Sequence, residues 1–446
     1  MAGPASSAPT ARFVTGSTLR HVIVMTSTGS IGLIAVFVVD ALNLFYISLL
    51  GVQELAAAIG FAATLLFFTV SVSIGLTIPC SALVARALGR GSRTDAAEMG
   101  GASIVIMAIT TVLMTLAVWP FIGLFLELLG AKGETLALST RFLQIVLPST
   151  PIFALGMCVS GILRGAGDAR RAMYVTLGGG IAAAILDPLL IFGLDLGLDG
   201  AAISTVLVRI LTLIIGIHGA HSVHRLIRLP DRARLAAAAK PFFAIGIPAM
   251  LTQIATPVGN AFVTGQFAAF GDAAVAGWAI IGRLNPVAFG VIFALSGAVG
   301  PIIGQNFGAR KFDRITATMR DSLIVTTVYV LVVWALLAIF AHPVASLFGA
   351  DAEARDLVVF FCQFAAGSFL FNGAIFVSSA AFNNLGYPTY STVFNWGRST
   401  LGVIPFVWAG AELYGATGAI AGWGLGAVVF GIASVIVCFR VLRKIE

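Results

Sequence analysis

Long apolar runs, each closed by a short cluster of charged and small residues, repeat from one end of the chain to the other. They fall near 20–49, 55–84, 100–126, 137–163, 172–194, 200–224, 241–269, 275–304, 318–346, 356–382, 390–411 and 415–440. Roughly 20 apolar residues cross the hydrocarbon of a bilayer as a helix, so the pattern predicts about twelve transmembrane helices. Several runs are longer than one crossing needs. Tilts or kinks are therefore expected, with Pro79, Pro120, Pro148, Pro188, Pro257 and Pro405 as the kink positions.

Composition strengthens this reading. Hydrophobic residues make up 59% of the 446 and charged residues 10%, and the mean hydropathy is +1.02. That is too little polar surface to cover a soluble globule. The predicted class is an all-α polytopic membrane protein. Four cysteines, Cys80, Cys158, Cys362 and Cys438, stand singly in apolar runs, which predicts packing roles. Residues 1–17 are small and polar, and the first apolar run carries an acid without a small-residue cleavage signature, so no removable signal peptide is expected.

The net charge of +7 encodes topology and not affinity for nucleic acid, because the basic residues sit in short loops. They gather at Arg12 and Arg20 and in the segments 86–93, 164–171, 225–240, 310–320 and 440–444, against Lys132, Arg141, Arg283 and Arg355 on the opposite side. The positive-inside rule then places both termini in the cytoplasm. The most charged connection, HSVHRLIRLPDRARLAAAAK (221–240), falls at the midpoint and reads as an amphipathic linker on the membrane surface. It divides the chain into an N-terminal lobe, 1–225, and a C-terminal lobe, 226–446.

These halves repeat. ARALGRGSRTDA after the second helix answers GQNFGARKFDRI after the eighth, and Gly89 matches Gly308 at an offset of 219. The same offset carries Gly167 of LRGAGDARRAMYV onto Gly386 of NNLGYPTYSTVF, and with one extra residue Gly51 falls on Gly271. Two homologous six-helix lobes that rock around a central cavity are the mechanism such repeats support.

Only two acids lie deep inside apolar runs, Asp40 in VFVVDALNLFY and Asp187 in AAAILDPLLIF. A charge at the centre of a membrane helix costs from about 2.5 to well over 10 kcal/mol, so both are functional candidates. Burial and a second carboxylate each raise an acid's affinity for protons, which is the property a proton site needs. Asn43 follows Asp40 by one turn on the same face; it either bonds the acid or makes a helix contact. Pro188 removes the partner of the Ala184 carbonyl beside Asp187. With Gly180 earlier in the helix it marks either a hinge or close packing. The repeat-equivalent positions in the second half are Asn260 and Phe406, so the ion chemistry is predicted in one lobe only.

Gln253, Asn260, Gln266 and Asn372 are uncharged polar residues in or at the ends of apolar helices of the second half. With Phe262, Trp278 and Phe293 they are candidates for a substrate cavity, where aromatic walls attract flat organic cations. Arg209 and Arg398 either snorkel to the interface or serve substrate, and snorkelling is expected. His218, His221 and His224 lie near a helix end without an acid or cysteine and predict no metal site. RGAGDARR lacks a preceding strand and a following GK[ST], so ATP finds no phosphate loop. No cofactor is expected beyond the coupling ion.

The paired lobes, the glycine-centred loops ALGRGSRTDA and NFGARKFDRI, the RGAGDARRA loop and ILDPLLIFGLDLGLDGAAIST resemble the multidrug and toxic compound extrusion (MATE) transporters over nearly the whole chain. Acids on the first and fifth helices resemble the prokaryotic DinF-type branch. The resemblance implies antiport, in which H+ or Na+ enters while an amphiphilic, usually cationic compound leaves. It further implies that Asp40 and Asp187 are the coupling acids, with Thr205 as the sixth-helix hydroxyl sharing their network. Ala183 stands where the family often has asparagine, and Phe142 is nearest to a fourth-helix phenol of some relatives. Both departures favour H+ over Na+. The expected protein is an exporter in the bacterial inner membrane, functional as a monomer. The alternative is a lipid or lipid-linked oligosaccharide flippase, whose cavity would need many cations. An intramembrane enzyme would need a catalytic constellation at depth that the sequence lacks, and a passive channel fits the duplicated helices less well.

Overall fold

A computed structural model of the chain describes residues 11–48, 53–348 and 352–446, with the side chains of 40, 41, 43–45, 47, 48, 53 and 56 outside the description. Among the described residues every regular element is helical. The first half runs α1 (Thr18–Ser48), α2 (Gln53–Gly89), α3 (Arg93–Val118), α4 (Ile122–Leu128), α5 (Gly133–Val146), α6 (Thr150–Gly165), α7 (Ala169–Pro188) and α8 (Gly197–Ile217). The second runs α9 (Arg232–Ala268), α10 (Asp272–Gly308), α11 (Phe312–Ile339), α12 (Ala341–Leu347), α13 (Ala352–Gln363), α14 (Phe369–Leu385), α15 (Pro388–Ser399) and α16 (Ile404–Ile445).

Eleven stretches among the described residues are long and apolar enough to cross a membrane, and the last spans 58 residues from Pro388 to Ile445. At 1.5 Å per residue that stretch would be about 87 Å long, far beyond one bilayer. It folds back at Tyr414 and Gly415, whose backbone leaves the helical region inside α16. A Cβ added at Gly418, Gly422 or Gly426 would lie 2.1 Å or less from the carbonyl oxygens of Gly410, Phe406 and Gly402 respectively. The two arms therefore run antiparallel with backbones in contact, as small residues at four-residue spacing permit. The last stretch holds two crossings, which brings the eleven stretches among the described residues to twelve crossings.

The repeated loops keep their turn geometry. Gly91 and Arg310, at the 219 offset, both have positive φ (82° and 54°), as do Gly167 and Gly386 (82° and 94°). Ser92 N–H bonds to Ala87 C=O and Lys311 N–H to Asn306 C=O; Asp168 N–H bonds to Leu163 C=O and Tyr387 N–H to Phe382 C=O. These are matching helix C-terminal closures at matching positions. Arg310 holds a left-handed conformation that glycine adopts freely in the other copy.

Three predicted kinks coincide with breaks. Pro120 and Pro148 lie in 3-10 turns, Trp119–Phe121 and Leu147–Ser149, and Pro188 ends α7 where a π turn, Leu189–Gly193, begins. Pro79 and Pro257 sit inside the helices α2 and α9, and Pro405 lies in the first turn of α16. Other breaks were not foreseen. Phe289, a turn after Pro286, leaves the helical region inside α10, the 3-10 turn Ala365–Ser368 separates α13 from α14, and Phe340 separates α11 from α12.

Packing divides the chain into two units, Ile31–Met250 with residues up to Val14, and Leu251–Glu446 with Thr15–Ser30. The cuts fall inside α1 and α9, each of which contributes its first half to one unit and its second half to the other. The first unit has a core of Leu76, Cys80, Val84, Cys158, Ile162 and Phe242. The second is centred on aromatic rings, with Phe289 stacked on Phe369 at 3.9 Å and Phe267 on Trp278 at 5.2 Å. Large apolar side chains such as Leu113, Ile185, Leu336 and Leu425 point outward, as hydrocarbon surroundings allow.

Candidate functional site

In the first unit the chemistry centres on the end of α7. The sequence ILDP brings Asp187 to the last α-helical turn, because Pro188 lacks an amide and the chain widens into the π turn after it. Asp187 is 2% exposed. Ser204 of α8, fully buried, donates its hydroxyl to Asp187 Oδ1 at 2.5 Å. Thr205, the hydroxyl expected in this network, instead donates to the carbonyl of Ala201 on its own helix at 2.9 Å. Successive residues of an α-helix are rotated by about 100°, so only one of the two neighbours faces α7. Asp40 and Asn43 belong to α1, but their side chains lie outside the described residues.

Gly180 lies in an unbroken stretch of α7, and a Cβ there would stand 3.4 Å from the side chains of Ala35 and Val39 on α1. Gly32 is tighter, since its Cβ would lie 2.2 Å from Thr176 Oγ1. Small residues thus let α1 approach α7 closely, on the helices that carry the two acids.

The polar residues singled out in the second unit separate into groups. Asn260 is exposed on one face of α9, as is Thr256, which the sequence did not single out, with Gln253 half-buried one turn before Thr256; Gln266 is also half-buried. Trp278 is a core residue that stacks on Phe267 and donates its indole N–H to Thr264 Oγ1 at 3.1 Å. Phe262 packs against the same core. Phe293 is exposed and lies against Phe376. Asn372 is buried, and its amide oxygen accepts from Arg398 Nη1 at 3.1 Å.

That bond corrects the expectation of snorkelling arginines. Arg209 and Arg398 are 8% and 6% exposed. Arg209 donates from Nη1 to the Val146 carbonyl at 3.1 Å and to Ser149 Oγ at 2.9 Å, and it covers the Phe153 ring at 5.3 Å. The 3-10 turn at Leu147–Ser149 opens a place for it beside the helical ladder. Arg398 donates from Nη2 to Thr256 Oγ1 at 2.8 Å and to Ser399 Oγ at 3.3 Å. Both heads stay inside their units because partners wait there.

A third cluster lies at the loop before α7. Asp168 caps the helix by accepting from Arg171 N at 3.1 Å, pairs with Arg171 Nη1 at 2.5 Å, and contacts His224 Nε2 at 2.7 Å. Arg93 Nη2 donates to the His224 carbonyl, and Arg12 Nη1 to the Gly167 carbonyl. Burial alone would raise the Asp168 carboxyl, but the bonds from His224 and Arg171 outweigh it and hold the group well below the usual carboxylate range. His224, expected as a plain interfacial residue, thus ties the segment after α8 to the start of α7.

Twelve membrane crossings among the described residues, duplicated turns and a buried membrane acid fit the architecture of a membrane transporter. A model of the MatE family matches residues 30–189 and again 248–408. The chain belongs to that family and is a membrane transporter, not an enzyme. It is similar to a FAD transporter of Shewanella oneidensis, 28% identical over 435 residues and 96% of each chain. The multidrug export protein MepA of Staphylococcus aureus is 27% identical over 410 residues, covering 89% of this chain and 87% of that one. Among solved structures, the Vibrio cholerae MATE transporter VcmN in its bent form superposes with a TM-score of 0.90 at 26% identity, covering 96% of this chain and 98% of that one.

Proposed function

We propose that this transporter is an antiporter, driven by H+ in preference to Na+, that exports amphiphilic, mostly cationic organic compounds by alternating access. It works as a monomer in the bacterial inner membrane, with both termini cytoplasmic and no cofactor beyond the ion. The observation that carries the reading is Asp187, buried at membrane depth with the Ser204 hydroxyl on its carboxyl. Retaining an acid there is costly unless its charge is used. The position one turn earlier is Ala183, which brings no oxygen to a metal ion, whereas a proton needs only the carboxylate.

The test reconstitutes the protein in liposomes and follows efflux of a fluorescent cation under an imposed pH gradient, then a Na+ gradient. The pH gradient is expected to drive flux in the wild type, and Asp40→Asn and Asp187→Asn to abolish it while substrate still binds. Flux driven by Na+ alone, or normal flux in both variants, would overturn the coupling assignment.

A second reading concerns the cargo. The similarity to a FAD transporter, together with the buried cation Arg398, supports export of flat molecules that carry an anionic group.

A further inference from the structure

The two buried arginines are held differently. Arg209 has a backbone carbonyl, a hydroxyl and an aromatic face, a set that braces α8 against the break between α5 and α6. Among the described residues Arg398 has only neutral side-chain oxygens as partners, those of Asn372, Thr256 and Ser399. Its Nε is buried with no hydrogen-bond partner among the described residues. It takes part in none of the ion pairs among them, Arg141–Asp199, Arg171–Asp168, His224–Asp168 and Arg234–Glu98.

Its position makes the lack of a counter-charge among the described residues costly. At 1.5 Å per residue Arg398 lies about 15 Å along α15 from Pro388, near the middle of a bilayer about 30 Å thick. Arginine stays protonated there, and an uncompensated buried charge calls for an opposite one. Gly259 lets α9 touch α15, since its Cβ would lie 2.9 Å from the Ser399 carbonyl. Thr256, which accepts from Nη2, is exposed, and so is Asn260 one turn further on the same face. Exposed polar side chains at membrane depth are tolerated where water reaches them and not hydrocarbon.

We propose that Arg398, Thr256 and Asn260 form an oxyanion-binding site in the second unit, which accepts the carboxylate or phosphate of an amphiphilic cargo. This deepens the second reading of the cargo and rests on it. The guanidinium fork suits a planar carboxylate or a phosphate better than any neutral group. Asn372 holds the fork from behind through Nη1, leaving the Thr256 side to exchange its hydroxyl for the incoming oxyanion. Cargo without an anion gains nothing from this site, so the same protein discriminates between an acid and its ester.

The test uses purified full-length protein in nanodiscs and two pairs of fluorescent probes, each differing in one group. Rhodamine 110 carries a free carboxylate and rhodamine 123 its methyl ester; riboflavin 5′-phosphate carries a phosphate that riboflavin lacks. Binding is read by fluorescence anisotropy. In the wild type at least one anionic member binds about tenfold more tightly than its neutral-group partner, a difference of about 1.4 kcal/mol, and the pair that shows it identifies the oxyanion. In Arg398→Gln the ratio falls to near one, and Arg398→Lys, which keeps the charge without the fork, keeps a ratio of severalfold. A ratio near one for both pairs in the wild type overturns the proposal without any variant. So does a ratio that survives in Arg398→Gln, which would make the arginine a brace like Arg209. Binding of the ester itself reports on the exporter reading separately from the ratio.

Discussion

Replacing Ser204 by alanine, with Thr205→Ala as its neighbour control, tests the proposed coupling site most directly. Ser204 is fully buried and donates to Asp187 Oδ1 at 2.5 Å, whereas Thr205 donates only to its own helix. A hydrogen bond to an ionisable group contributes about 1.5–3 kcal/mol when its loss leaves a buried partner. Asp187 has further interactions within the protein, so the lower end applies. About 1.5 kcal/mol, imposed on whichever protonation state uses the bond, is a factor of about ten in an equilibrium constant. Ser204→Ala is therefore expected to cut proton-driven efflux in liposomes about tenfold while substrate binding changes little. Thr205→Ala removes a bond to the preceding turn, which competes with the helical ladder more than it supports it, and should leave efflux within twofold. Ser204→Thr, which restores the hydroxyl at the expense of a methyl group in a filled site, should recover part of the loss. A silent Ser204→Ala beside a damaging Thr205→Ala would refute the reasoning, because the hydroxyl that matters would then be the one facing away from Asp187.

Two further outcomes follow from the geometry. Asp168→Ala should destabilise the purified protein by about 1–3 kcal/mol at neutral pH, the cost of a buried charged group's hydrogen bonds; since the folded carboxyl sits below its unfolded value of about 3.9, its contribution is full above that value and is lost as pH falls through the depressed one. The gap in thermal stability between wild type and variant should thus close only below about pH 4, and a gap that closed between pH 7 and 5 would transfer the effect to the His224 contact. Gly426→Ala would set a Cβ 1.6 Å from the Gly402 carbonyl oxygen, whereas Gly282→Ala meets nothing within 4 Å; size-exclusion profiles after heating should show loss of the folded peak for the first and a near-native profile for the second, and equal behaviour would contradict the tight hairpin of the last two crossings.

Helix number and the duplication were legible because they depend on local signals, apolar run length and turn chemistry. The matched loops declare themselves through glycines, and the structure extends the match to Arg310, where no glycine marked the turn. What escaped the sequence depends on register between distant segments. Ser204 and Thr205 are equally good hydroxyls along the chain, and only the azimuth of α8 against α7 chooses between them. Arg398 read as an interfacial snorkel because its partners, Asn372 and Thr256, stand in other helices and carry no charge to advertise a pairing. His224 read as one of three interfacial histidines for the same reason, since Asp168 lies 56 positions away.

The duplicated scaffold also explains why the chemistry could become lopsided. Asp187 ends a helix that loosens into a π turn, so its carboxyl meets α8 through side chains. Its counterpart at the 219 offset, Phe406, lies in the first turns of α16, where its carbonyl is pressed against Gly422 of the returning arm. A backbone contact of that kind holds whatever side chain position 406 carries. An apolar side chain at 406 therefore costs the second lobe nothing structural, and its one buried charge among the described residues, Arg398, stands on the neighbouring helix. Two copies of one lobe geometry thus carry a buried acid at the end of α7 and a buried cation at the end of α15.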